Sequence, residues 1–201
     1  MDERHLQSKK PISAALAGPY GHPYHPMLVA VPIGAWVASV VFDIASYLSS
    51  SQDAFFRGAM WLIGLGVLGA LAAAAVGLMD FLAIPGGTVA RRTALLHAGL
   101  NLGVTVLFAL NFAWRFAFRG SDLATPVGPL ILSVVGLLGV SASGYLGGKL
   151  AYRYGVRVAA ESVQAEGFAT PDAVRRRSRP ASTTTAASNT SMHRRGSGRR
   201  A

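Results

Sequence analysis

Apolar residues in this chain gather into four long runs, about Pro26 to Leu48, Gly58 to Ala83, Thr93 to Trp114 and Val127 to Lys149. Each is long enough to cross a bilayer, which takes roughly 20 residues per helix. Between Pro11 and Gly148 the charged residues are Asp43, Asp53, Arg57, Asp80, Arg91, Arg92, Arg115, Arg119 and Asp122, and most fall in the breaks between the runs. The pattern predicts an all-α, multi-pass integral membrane four-helix bundle. Ser49 to Phe56, Pro85-Gly86-Gly87 and Arg115 to Thr125 read as the connections.

Details within the runs sharpen this. Pro23 and Pro26 suit the first turn of a helix, where a missing N–H costs nothing, whereas Pro32 lies inside and predicts a kink. The second run holds Gly64, Gly66, Gly69, Ala70, Ala72 to Ala75 and Gly77; the fourth holds Gly136, Gly139, Gly144, Gly147 and Gly148. Such small-residue faces let helices approach closely where lipid gives no hydrophobic drive for association.

Composition changes the picture mainly at the ends. The 201 residues carry a formal net charge of +10. From Lys149 onward there are eleven Lys/Arg against three Asp/Glu, so most of the excess belongs to the C-terminal segment. From about Ala160, Ser, Thr, Ala and Arg dominate without apolar periodicity, which predicts a disordered basic tail. Aromatic interleaving is absent there, which argues against nucleic acid as a partner; the lipid bilayer is the expected one. The expected organisation is a lead over 1–20, a four-span domain over 21–158 and the tail over 159–201. Met1 to Ala17 lacks a signal-peptide pattern, so the first run is expected to be a retained span. The absence of cysteine excludes disulfides, thiolate metal sites and thiol catalysis. Arg4, Lys9, Lys10, Arg91, Arg92 and the C-terminal cluster fall on one side of the spans, and Arg57, Arg115 and Arg119 on the other. By the positive-inside rule this predicts a cell inner membrane protein with both termini cytoplasmic.

The candidate chemistry lies at the cytoplasmic ends of the spans. His22 and His25 enter the first, Asp80 leaves the second, His97 lies one to two turns into the third, and Ser141, Ser143 and Tyr145 close the fourth. Asn101 is one turn from His97 on the same face. Neutral imidazole is the commonest metal ligand, and bundle cores build such sites from facing helices. Two ligand readings follow. In one, His22 or His25 pairs with His97 as axial ligands of a haem b. In the other, His22, His25, Asp80 and His97 bind a divalent transition metal. Two alternatives stay open: a non-catalytic scaffold or complex subunit using the same residues as interhelical hydrogen bonds, and small-solute or ion transport. No nucleophile elbow, phosphate loop, dinucleotide fingerprint or metalloprotease motif is present, so the chain is not expected to be an enzyme by itself. At the other membrane face, Asp43 and Asn111 stand with Arg115 or Arg57, and an Asp43–Arg115 pair is expected because intramembrane charges need partners.

These residues also carry a resemblance. Gly21-His22-Pro23-Tyr24-His25-Pro26, then Pro32-Ile33-Gly34 and Asp43, resemble the start of the bacterial membrane proteins catalogued as domain of unknown function 2231. Ala75 to Asp80, Arg92 through His97 with Asn101, and Gly147 to Tyr152 followed by Gly155-Val156 resemble the rest, over roughly Gly21 to Val158. The resemblance implies a four-helix membrane domain. Members are sometimes joined to Rieske-type or cytochrome-like domains, so it also implies redox company; a redox protein partner or a homo-oligomer is the expected protein partner.

Overall fold

The structure, a computed structural model, describes residues 4–13, 17–18, 21–119 and 125–170. The chain divides into two units, Met1–Ala160 and Glu161–Ala201. The first contains a short helix α1 (Arg4–Gln7), the five-residue α2 (Tyr24–Leu28), and the long α3 (Ala30–Leu48), α4 (Gln52–Leu82), α5 (Val89–Ala117) and α6 (Val127–Gly148), closed by a π-helical turn over Lys149–Arg153. In the second, α7 (Glu161–Glu166) is a short helix at the start of the segment expected to lack structure; residues 171–201 of that segment lie outside the described residues. Four segments are long and apolar enough to cross a membrane: Tyr24–Leu48, Gln52–Leu82, Val89–Ala117 and Val127–Arg153.

The first span is broken at Val29, between α2 and α3. Pro32 explains the position. Its ring meets the carbonyl four residues back and its nitrogen cannot bond it, so the disruption falls around Leu28 and Val29, one turn before the proline. Helices α4 and α5 start six and four residues earlier than the apolar runs do, because polar and charged residues serve well in exposed first turns. Arg115, placed in a loop by its charge, is inside α5 and fully buried.

Each long helix turns one stripe inward at helical spacing: Pro32, Trp36, Ser39, Asp43 and Ser46 on α3; Phe56, Met60, Ile63, Gly66 and Ala73 on α4. Val104, Phe108, Asn111 and Arg115 do so on α5, and Pro129, Ser133, Gly136 and Ser143 on α6. The outward faces carry large apolar side chains such as Val41, Leu68, Leu102 and Leu138. That is the reverse of a soluble bundle and suits lipid, where packing rather than exclusion from water draws helices together. At the centre Trp36 stacks on Phe108, ring centroids 4.1 Å apart, and Ile63 and Val104 complete the cluster. Glycines sit where the large rings lie: a Cβ on Gly136 would come within 2.5 Å of the Phe108 ring, and one on Gly66 would overlap the Trp36 indole.

One end of the bundle is closed by a buried polar knot. The Arg115 guanidinium donates to both oxygens of Asp43, at 2.6 and 2.7 Å, and its Nε donates to Asn111 Oδ1 at 3.0 Å. Asn111 Nδ2 donates to Ser133 Oγ and to the Pro129 carbonyl. Thr125 Oγ1 donates to Asp43 Oδ1 at 2.9 Å, and its backbone N–H donates to Ser46 Oγ. Asp43, Asn111 and Arg115 are completely buried. The expected Asp43–Arg115 pair is therefore present, and Arg57 stays outside it, pairing with Asp53 on the surface. The knot ties α3 to α5 and α6.

Candidate functional site

The opposite end brings His25 and His97 together. The two sit on different helix pairs, α2 packed on α4 and α5 packed on α6. Their rings face each other across the seam, centroids 6.3 Å apart and planes 82° to one another.

Both rings are held by the same device. His25 Nδ1 lies 2.8 Å from the Ala73 carbonyl oxygen of α4. His97 Nδ1 lies 3.0 Å from the Ser143 carbonyl oxygen of α6. A carbonyl only accepts, so each Nδ1 carries the proton and donates. Four residues beyond each carbonyl stands a glycine, Gly77 after Ala73 and Gly147 after Ser143. A helical side chain leans back over the turn that precedes it, so a residue with a Cβ there would cover the carbonyl. The spacing confirms this: a Cβ on Gly77 would meet the His25 ring at 2.9 Å, and one on Gly147 the His97 ring at 3.2 Å. The missing side chains uncover the acceptors and seat the imidazoles. With Nδ1 occupied, Nε2 is the ring atom left with a lone pair on both histidines.

Asn101 supports His97 from the next turn. Its Nδ2 donates to the His97 carbonyl at 2.8 Å and to Ser143 Oγ at 2.5 Å. The same nitrogen lies 3.2 Å from His97 Nε2, but its two hydrogens are already directed at the oxygens. Ala73, Gly77 and Asp80 follow one another along a single stripe of α4, so Asp80 lies on the His25 side, one turn nearer the helix end. Its carboxylate forms an ion pair with Arg157, Oδ1 to Nε 2.9 Å. Arg91 closes the same end of α4, donating from Nη1 to the Phe81 and Ile84 carbonyls.

His22 lies in a tight loop before α2, its carbonyl accepting from the Gly18 N–H at 3.0 Å. Of the α6 group, Ser143 alone turns inward; Ser141 bonds back to the Leu137 carbonyl and Tyr145 is 75% exposed. Among the described residues no three His, Asp or Glu side chains converge as metal ligands would. Two features escaped the sequence: Arg157, whose charge is lost among the many basic residues of the C-terminal segment, and the carbonyl-plus-glycine seats. An Ala/Ser-x-x-x-Gly spacing near a helix end was the available signal, but it is indistinguishable from ordinary small-residue packing.

Against known families, the model of a predicted membrane protein family, DUF2231, matches residues 21–160, and the chain belongs to that family. No curated protein and no solved structure matches.

Proposed function

We propose that this member of the family is a redox-associated membrane module in which His25 and His97 would hold a haem b. The carrying observation is the pair itself. Two imidazoles reach one seam from different helix pairs, each with Nδ1 against a backbone carbonyl, which leaves the Nε2 lone pair as the atom that could ligate. That is the outer support by which proteins orient metal-bound histidines. The donor set fits the group: two neutral nitrogens satisfy a haem iron, whose remaining ligands come from the porphyrin, whereas a bare divalent ion needs more protein ligands than two. A bound haem would supply one-electron redox chemistry. The chain's own part is to fix both tautomers, exclude side chains at Gly77 and Gly147, and hold the helices in place from the far end through the Asp43–Arg115 knot. In this reading the site lies toward the cytoplasmic face of an inner membrane, an orientation supported by the Lys/Arg bias.

A second reading has its own support. The bonds of Asn101 Nδ2 to Ser143 Oγ and of His97 Nδ1 to the Ser143 carbonyl, both from α5 to α6, suit a purely structural interhelical network, as in a scaffold or complex subunit. Visible spectra of detergent-purified protein, before and after adding haem, separate the two. The proposal expects a low-spin, two-imidazole spectrum in its reduced-minus-oxidised difference. The spectrum should be lost in His25→Ala and His97→Ala and kept in His22→Ala. A stable protein that stays colourless after haem addition overturns it and leaves the structural network. So does a band indifferent to both His25 and His97.

A further inference from the structure

Arg157 is the second unusual group in this unit, and the histidine reading does not use it. Its side chain is 6% exposed. Its backbone has φ of 59°, in the left-handed region that non-glycine residues seldom adopt. The turn that places it is specifically fastened: Gly155 has φ of 68°, the Arg157 N–H donates to the Ser8 carbonyl at 2.9 Å, and the Val158 N–H donates back to the Gly155 carbonyl. A left-handed arginine costs on the order of 1–3 kcal/mol and persists where its surroundings over-determine it. Here the strain aims a long cation into the protein.

The guanidinium is nevertheless incompletely bonded. Nε is 2.9 Å from Asp80 Oδ1, close enough for charge attraction, yet its N–H is not directed at that oxygen. Among the described residues both Nε and Nη2 are buried without a hydrogen-bond partner. Buried donors in native proteins are satisfied as a rule, and exceptions need a reason. These two nitrogens form one edge of the guanidinium, a planar fork that matches two oxygens of a single oxyanion. Lys9 Nζ stands 3.3 Å from where a Cβ on Gly155 would lie, over the same turn.

We infer that the Nε–Nη2 edge of Arg157 is a binding site for a phosphate oxyanion, beside Asp80 at the end of the second span. The phosphate is drawn by the guanidinium charge, accepts both hydrogen bonds, and competes with the Asp80 carboxylate. Its position at the end of α4, where headgroups meet the spans, admits two sources of that chemistry: an anionic phospholipid headgroup, or free phosphate. The N-terminal residues Ser8 and Lys9 lie over the Gly155–Arg157 turn, so entry requires that lead to yield. The site is independent of what the histidines bind.

The test uses the full-length protein. Phosphate binding is measured by titration in a neutral detergent, and lipid retention by native mass spectrometry after exchange into phosphatidylglycerol or phosphatidylcholine vesicles. Wild type should hold one phosphate group. Arg157→Gln should weaken it at least tenfold. Asp80→Asn, which removes the competing carboxylate, should tighten it several-fold, a gain that misfolding cannot produce. Saturable binding of inorganic phosphate in detergent assigns the free anion. Selective retention of phosphatidylglycerol without it assigns the headgroup. Equal binding by wild type and Arg157→Gln overturns the inference, as does the absence of both kinds of binding in wild type. Weaker binding in Asp80→Asn also overturns it, because Asp80 would then be the partner that the fork itself requires.

Discussion

Asp43→Ala is expected to destabilise the folded bundle by about 3–5 kcal/mol, because it strands Arg115 as an unpaired charge in a completely buried position. The loss exceeds that of an ordinary polar truncation. Arg115 gives both terminal nitrogens to the carboxylate, and Thr125 gives its hydroxyl to the same group. Removing the acid therefore orphans donors on two segments at once, in a setting where water cannot replace it. Unfolding in mixed detergent micelles, followed by circular dichroism, measures the cost. The companion Asp43→Ala/Arg115→Met should recover most of it, since replacing a buried pair by apolar groups is often neutral or better. A single variant as stable as wild type would mean that the pair is dispensable. A double variant no better than the single one would place the cost in shape rather than charge.

The next largest effect is expected at Gly66. A methyl group there would overlap the edge of the Trp36 indole, which is 3% exposed, stacked on Phe108 and bonded through Nε1 to the Ile63 carbonyl at 3.3 Å. The indole has no free direction in which to retreat. Overpacking of this kind costs about 1–3 kcal/mol, so Gly66→Ala should unfold at distinctly lower denaturant than wild type. Trp36→Ala removes the indole edge where the new methyl would lie, so adding it to Gly66→Ala should cost less than the two single changes together. Strict additivity would show that the two positions do not meet. Gly99 and Gly103 on α5 provide the contrast. Nothing stands within 4 Å of a Cβ at either, so alanine there should be neutral or slightly stabilising through helix propensity.

The four spans were legible because a membrane imposes a length and an apolarity that few other structures share. The Asp43–Arg115 pair was legible for a related reason: a charge within an apolar run needs a partner, and few were on offer. Helix ends were less so. Ser49 to Phe56 read as a connection because it is polar, and the third run was drawn only from about Thr93, although polarity does not oppose a helix that extends past the lipid. The histidine site was half visible. Convergence of His25 and His97 followed from topology alone, but His22 looked equivalent to His25, and only the path of the chain around Gly21, with φ of 83°, separates them. Likewise, Ser141, Ser143 and Tyr145 were indistinguishable until the rotation of α6 was known. Arg157 could not have been found, since its importance lies in a backbone angle and a burial that no residue pattern encodes.

The interruption at Val29 has a mechanical corollary. Trp36 and Asp43 anchor α3, whereas α2 meets α3 at a turn that lacks the bond Pro32 cannot make. The five residues bearing His25 are held instead from the side, by the Ala73 carbonyl of α4. The first histidine thus takes its footing from a neighbouring span, and the second from the Ser143 carbonyl of another: each ring is moored to a helix other than its own.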